Sequence, residues 1–249
     1  MAKGTPEYYT DKRGYWDRDF QNEVMISDYF RKEFVHKLGN VEGKRIIDIG
    51  CGDGCVSRVL ARKNAIVTGL DNSEGLIDLA LKKEKNDNLG IEYLVADALD
   101  LKEIKKEYDI AISVFVYGHF NEEQVYKATY EVTRVLKPGG IYVAMIPHPV
   151  IFIAKPNTKW IDFDNNKTAY FNATTDIKMI RTDGKSFEVT GNINTFEACV
   201  RSFINAGFSI DDLFEPKVSE KELKKNDRWG ELEHYPVGFI LKGTYNSKL

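Results

Sequence analysis

The sequence predicts an α/β chain built on a mostly parallel sheet. Three observations carry this: three short apolar runs that each end in an acid, a glycine turn leading from the first run into a helix, and a late helix followed by two further apolar runs.

The first run, Arg45 to Ile49, is β-branched and apolar on both sides of Asp48, as a strand buried on both faces of a parallel sheet should be. Gly50, Cys51, Gly52, Asp53 and Gly54 form the turn after it. Without a Cβ the backbone can take positive φ and come within contact distance of a ligand. Cys55 to Arg62 reads as a helix whose free N-terminal amides face the same place. Ala65 to Asp71 is a second strand, and Asp71 follows Gly50 by 21 residues, close to the ~20 expected of a ribose-binding carboxylate. Ile91 to Asp97 is a third, followed by Ala98. Tyr108 to Val116 is a fourth, with a helix from Asn121 to Leu136 behind it, Asn121 as its cap and Glu123 near its positive end. Asn194, followed three residues later by Glu197, caps a late helix that ends at Ala206-Gly207. Two strands follow, about Phe208 to Leu213 and Val237 to Tyr245.

The dinucleotide fingerprint is G-x-G-x-x-G, with helix amides aimed at a pyrophosphate. Here the third glycine comes one residue early, and this G-x-G-x-G turn headed by Asp48 resembles motif I of the class I S-adenosylmethionine-dependent methyltransferases. The resemblance runs from about Gly43 to the C-terminus and includes Lys137-Pro138-Gly139-Gly140, similar to the family's turn before a fifth strand, Ile141 to Ile146. It implies a Rossmann-like three-layer sandwich with a seven-stranded, mostly parallel sheet whose strand seven is antiparallel. It also implies S-adenosylmethionine as cofactor and S-adenosylhomocysteine as product. Gly50, Cys51, Gly52 and Gly54 would then admit the methionyl and ribose parts, Asp71 and Asn72 would hold the ribose, and Asp48 would belong to the same cofactor site. Asp97 and Ala98 would meet the adenine, and Ser113, Val114 and Phe115 would form the opposite wall. A capping role for Asp71 and Asp97 in the elements that follow them stays open.

Composition agrees. At 249 residues and 43% hydrophobic the chain can bury one sizeable core, or one core and a small lobe. No apolar run approaches the ~20 residues a bilayer requires, the start lacks an apolar signal region, and a cytoplasmic location is expected. Cys51, Cys55 and Cys199 read as reduced thiols, and no His or Cys cluster suggests a metal. A formal charge of −3 gives no reason to expect nucleic acid.

The chain is read as a single methyltransferase domain over 1–249, with an N-terminal lid over 1–40 and a substrate-side insertion over 147–193. The N-terminal segment is aromatic, with a helical pattern from about Phe20 onward; Tyr9, Tyr15 and Trp16 precede it and are candidates for the substrate pocket. The insertion far exceeds the ~2 to 6 residues usual in α/β connections. Within it, two alternating runs flank Asp183-Gly184, the signature of a β-hairpin. Phe152, Trp160 and Tyr170 precede the hairpin and could line an apolar substrate cavity or simply pack beneath a long loop.

A sulfonium methyl is already activated, so the protein must align the acceptor, exclude water and sometimes remove a proton. His119 after strand four and His148 after strand five fall at the carboxyl edge of the sheet, where ligands bind, and Tyr117 adds a phenol; His36 and His234 are weaker candidates. His148 also resembles a His that follows strand five in a group of bacterial small-molecule methyltransferases. Strand four ends Ser113-Val114-Phe115-Val116-Tyr117 and lacks the Asn/Asp-Pro-Pro-aromatic pattern of amino-directed nucleic-acid methyltransferases. The expectation is methyl transfer to a small metabolite, natural product or short peptide, with no membrane or nucleic-acid partner. The alternatives are a non-catalytic cofactor-binding module acting through a partner surface, or a methyltransferase acting on protein or RNA.

Overall fold

The computed structural model describes residues 5–12, 28–105, 107–155, 158–159, 161–163, 169–171, 173–180, 184–218, 220–225 and 227–246. In chain order the elements are α1 (Pro6–Lys12), α2 (Asp28–Leu38), β1 (Arg45–Ile49), α3 (Cys55–Ala61), β2 (Ile66–Asp71), α4 (Glu74–Asp87), β3 (Glu92–Val95) and β4 (Tyr108–Val114). A 3-10 turn (Val116–His119), α5 (Glu122–Thr133), β5 (Leu136–Pro147), α6 (Pro149–Ala154), β6 (Ile161–Phe163), β7 (Ala173–Ile180) and β8 (Ser186–Ile193) follow. The chain continues through α7 (Phe196–Ala206), β9 (Phe208–Phe214), α8 (Glu220–Lys225), a 3-10 segment (Asp227–Glu233) and β10 (Gly238–Tyr245).

Seven strands form the main sheet in the order β3-β2-β1-β4-β5-β10-β9. β1 to β5 run parallel to one another, and β10 is antiparallel to both β5 and β9. The expected seven-stranded sheet with its reversed last strand is therefore present. Alternation along the strands feeds two cores. Ile46, Ile110, Ile112, Val143 and Met145 face α2, α3 and α4, whereas Ile47, Ala111, Tyr142 and Ala144 face α5 and α7. Val125, Ala128 and Val132 of α5 are spaced to lie on one helix face and are 0 to 4% exposed. Phe203 of α7 stacks on Tyr142 at 4.8 Å. Burying one such side chain stabilises the fold by ~1.5–3 kcal/mol, which is why these helices stay on the sheet.

Several boundaries differ from expectation. β3 stops at Val95, so Asp97 stands beyond the strand. β5 already begins at Leu136, because the Lys137 to Gly140 turn is a bulge inside it: Leu136 pairs with Tyr108 and Ile141 with Ile110. Thr195, not Asn194, caps α7 by accepting from Ala198 N at 3.0 Å. The hairpin is present as β7 and β8, paired from Ala173–Ile193 to Ile180–Ser186, and β6 adds a third, antiparallel strand that the pattern did not reveal. Tyr9, expected ahead of the first helix, lies in a helix of its own, α1. Among the described residues no helix is long and apolar enough to cross a membrane, and no group of His, Cys, Asp and Glu could hold a metal ion.

Candidate active site

The strand order reverses between β1 and β4, and in open α/β sheets ligands bind beyond the carboxyl ends at such a reversal. A cavity of about 460 Å³ opens there. It falls within the ~300–1,000 Å³ usual for ligand sites. Asp48, Gly50, Cys51, Gly52, Asp71, Asn72, Asp97, Ala98, Val114, Phe115, His119 and Tyr9 all line it.

The floor is the glycine turn. Gly50 has φ +70, and a Cβ there would collide with the Val116 side chain. Gly52, at φ +57, faces open space. The turn is held from beneath by Asp53, wholly buried, which ion-pairs with Lys83 and lies 3.9 Å from Arg58. Asp71 ties the turn to the next loop: one carboxylate oxygen accepts from Gly52 N at 3.0 Å and the other from Ser73 N at 2.9 Å. Each carboxylate oxygen has a further lone pair to offer a ligand hydroxyl. Burial raises the pKa of Asp71. Ser73, not Asp71, caps α4.

Asp48 is 2% exposed and accepts from Ser57 Oγ at 2.6 Å. Burial, opposed by that hydrogen bond and reinforced by the nearby Asp71, raises its pKa to about 7. A positively charged ligand group above it would draw out its ionised form. Asp97 uses one oxygen to accept from Leu99 N at 2.9 Å, and no helix follows it to be capped. Its other oxygen accepts nothing from the described residues.

On the far wall Phe115 takes φ +60 and ψ +11, the left-handed region, which is uncommon for an aromatic residue. Its amide donates to Met145 O at 2.7 Å, and its ring packs where a Cβ on Gly238 would be 3.0 Å away. His119 closes this wall with Nδ1 3.1 Å from Tyr9 Oη. Enclosure by protein lowers the His119 pKa to about 4. The residue is nonetheless exposed, with its ring facing the open cavity. The His119 turn is gripped by Asn194, whose Nδ2 donates to Tyr117 O at 2.7 Å and Phe120 O at 2.9 Å.

Helix α1 lies across the cavity and is fastened on both sides. Thr10 Oγ1 is 3.0 Å from Ser73 Oγ and accepts from Gly75 N, while Tyr8 Oη donates to Glu188 O of β8 at 2.6 Å. A Cβ on Gly75 would lie 2.9 Å from Thr10 Cα, so glycine allows the approach.

A second cavity of about 80 Å³ adjoins the first, sharing Phe115 and His119. Phe152 lines it, with Met179, Val189 and Gly191 from the small sheet.

Five expected residues lie elsewhere. Tyr117 is 1% exposed and hydrogen-bonds Thr129 behind the sheet, where burial keeps its phenol protonated. His148 caps α6: its Nδ1 accepts from Val150 N at 3.1 Å, so Nε2 carries the proton and donates to Glu215 at 2.9 Å. Both ring nitrogens are engaged in these contacts, and His148 lines neither cavity. Ser113 is buried against Tyr142 Oη at 2.8 Å, and Gly54 lies over Tyr93 at the start of α3 instead of on the cavity. Tyr170 lines neither cavity; its hydroxyl accepts from Phe196 N at 3.3 Å. Tyr15, Trp16 and Trp160 lie outside the described residues. Asn194 was missed as a support because its pattern read as a cap, and Gly191 because nothing local marks it.

Residues 46–140 match the family model described as "Methyltransferase domain". Over 110 residues the chain is 33% identical to a ubiquinone biosynthesis O-methyltransferase of Coxiella burnetii, covering 44% of this chain and 46% of that one. A similar enzyme of Rhizobium leguminosarum is 32% identical over 154 residues, 56% of this chain and 60% of its own length. The chain thus spans about half the length of the curated relatives it matches. Among solved structures, an S-adenosylmethionine-dependent methyltransferase from Clostridium acetobutylicum superposes with a TM-score of 0.69 at 15% identity, covering 96% of this chain and 99% of that one.

Proposed function

We propose that this chain is a class I methyltransferase that transfers a methyl group from S-adenosylmethionine to a small-molecule acceptor, a reading supported by its fold and by the family model that residues 46–140 match. The observation that carries this reading is the set of three acids, Asp48, Asp71 and Asp97, brought from the ends of three adjacent strands onto one cavity floored by glycine. The acceptor set suits a nucleoside bearing a cation: carboxylates for hydroxyls, an amine and a positive charge, with no Lys or Arg among the described residues that line the cavity to meet a phosphate. When bound, the cofactor supplies a methyl carbon on a sulfonium, which the acceptor's lone pair takes as the carbon–sulfur pair passes to sulfur. The chain's own residues bind, orient and keep water out.

Asp71 would hold the ribose, Asp97 with Ala98 the adenine, and Asp48 the positive methionyl end. Helix α1 covers this half. His119 stands at the junction of the two cavities and takes the proton an acceptor hydroxyl or amine must lose. For Nε2 to accept it, Nδ1 must carry the other proton and donate to Tyr9 Oη. The named relatives are described as O-methyltransferases of ubiquinone biosynthesis, which supports a small-molecule acceptor.

Calorimetric titration with S-adenosylhomocysteine tests the reading. Asp71→Ala should weaken binding by more than about tenfold, a loss of ~1.4 kcal/mol or more. Unchanged affinity would remove Asp71 from the site. Binding without any consumption of methyl donor in metabolite extracts would favour a non-catalytic module.

A further inference from the structure

The second cavity is narrow, and its chemistry is uniform. Among the described residues His119 is the one ionisable side chain in its wall; α6, β6 and β7 otherwise present apolar groups such as Phe152 and Met179. A charged ligand group placed there would lose its water with no opposite charge to meet it. An apolar group would lose only unfavourable hydration.

Gly191 is the least expected residue of that wall. Along β8 the inward positions are Phe187, Val189, Gly191 and Ile193, so a glycine stands where the alternation calls for a large apolar side chain. Its backbone does not demand glycine, for it is absent from the positive-φ residues. Space does not demand it either: a Cβ would meet nothing closer than Gly118 O at 3.8 Å and Thr175 O at 4.0 Å, ordinary contacts. Gly118 differs, since a Cβ there would press on Pro147 Cγ at 3.0 Å. Glycine inside a strand weakens it and commonly marks a close approach by another group. Here the missing side chain leaves the depth of the cavity.

We infer that the methyl acceptor carries an uncharged, apolar portion that seats in this cavity beside Phe115 and His119, and that Gly191 sets how large that portion can be. The inference rests on the methyltransferase reading for the identity of the first ligand, but the cavity can be probed separately.

The test uses the full chain saturated with S-adenosylhomocysteine, with phenol and benzoate as probes, the same ring without and with a charge, followed by saturation-transfer NMR. Phenol should bind, and benzoate should bind at least about tenfold more weakly. Gly191→Val should cut phenol binding by about tenfold or more, Gly191→Ala by less, and neither should move S-adenosylhomocysteine affinity by more than about twofold. If Gly191→Val does not fold, the Ala variant and the charge comparison still decide. Equal binding of benzoate, or phenol binding indifferent to both substitutions, overturns the inference while leaving the methyltransferase reading in place. Failure of S-adenosylhomocysteine to bind counts against that reading instead, and the probe comparison on the free protein still decides the cavity.

Discussion

The floor of the site and its far wall are made in different ways. The floor comes from one stretch, Asp48 to Ala98, in which each strand delivers an acid or a glycine at its end. The far wall is assembled from α1, the turn after β4, α6 and a three-stranded sheet inserted after β5, and much of it is apolar. Recognition of a polar nucleoside rests on a few fixed hydrogen-bonding positions. Recognition of an apolar acceptor rests on the shape left between elements that are distant in sequence.

Three substitutions probe this division, beginning with the largest effect. His119→Gln should lower turnover by ~10²–10⁴, the usual contribution of a general base, while S-adenosylhomocysteine affinity stays near that of the unchanged protein. In the unchanged protein, the acid limb of turnover should lie well below the pH of an ordinary histidine, because enclosure lowers the His119 pKa to about 4. A parallel collapse of cofactor affinity would show that floor and wall are one unit.

Asn194→Ala removes the donor shared by Tyr117 O and Phe120 O, the carbonyls on either side of His119. It should reduce stability by ~1–2 kcal/mol. It should also lower kcat about tenfold through the position of His119, and flatten the acid limb of the pH profile, a readout that lost stability alone would not move. Normal kcat with a lower melting temperature would make Asn194 a fold residue only.

Asp48→Asn belongs to the floor and acts through pH. Because the folded-state pKa is raised to about 7, the folded protein holds a proton that the unfolded chain releases near pH 4. Ionising Asp48 therefore costs stability as pH rises through about 7, and that cost is absent below the unfolded value. The Asn variant should gain melting temperature at pH 8 relative to pH 4, by ~2–4 °C per kcal/mol, and should bind S-adenosylhomocysteine more weakly. Equal gains at both pH values would show that Asp48 is already ionised without penalty.

The floor was legible because its signals are local: a β-branched run, a glycine turn, an acid at a strand end. The far wall was not, and the two histidines show why. Both follow a strand at the same sheet edge, but Pro149 after His148 starts a helix that needs a cap, while Phe115 before His119 bends the chain into a turn facing the cavity. The proline was a readable sign of capping; the unusual φ of Phe115 had none. Tyr117, two residues from His119, points behind the sheet because a short 3-10 turn sends neighbouring side chains to different sides. β6 is three residues long and owes its existence to pairing with β7, so no pattern within it could reveal it.

Phe115 also carries a conflict between side chain and main chain. Its ring is 8% exposed and forms the partition shared by both cavities, whereas its backbone occupies a region that glycine enters without strain. Replacing the ring by hydrogen would relax the chain and breach the partition in the same stroke. Stability and compartmentation therefore pull against each other at this residue, and the sequence has sided with compartmentation.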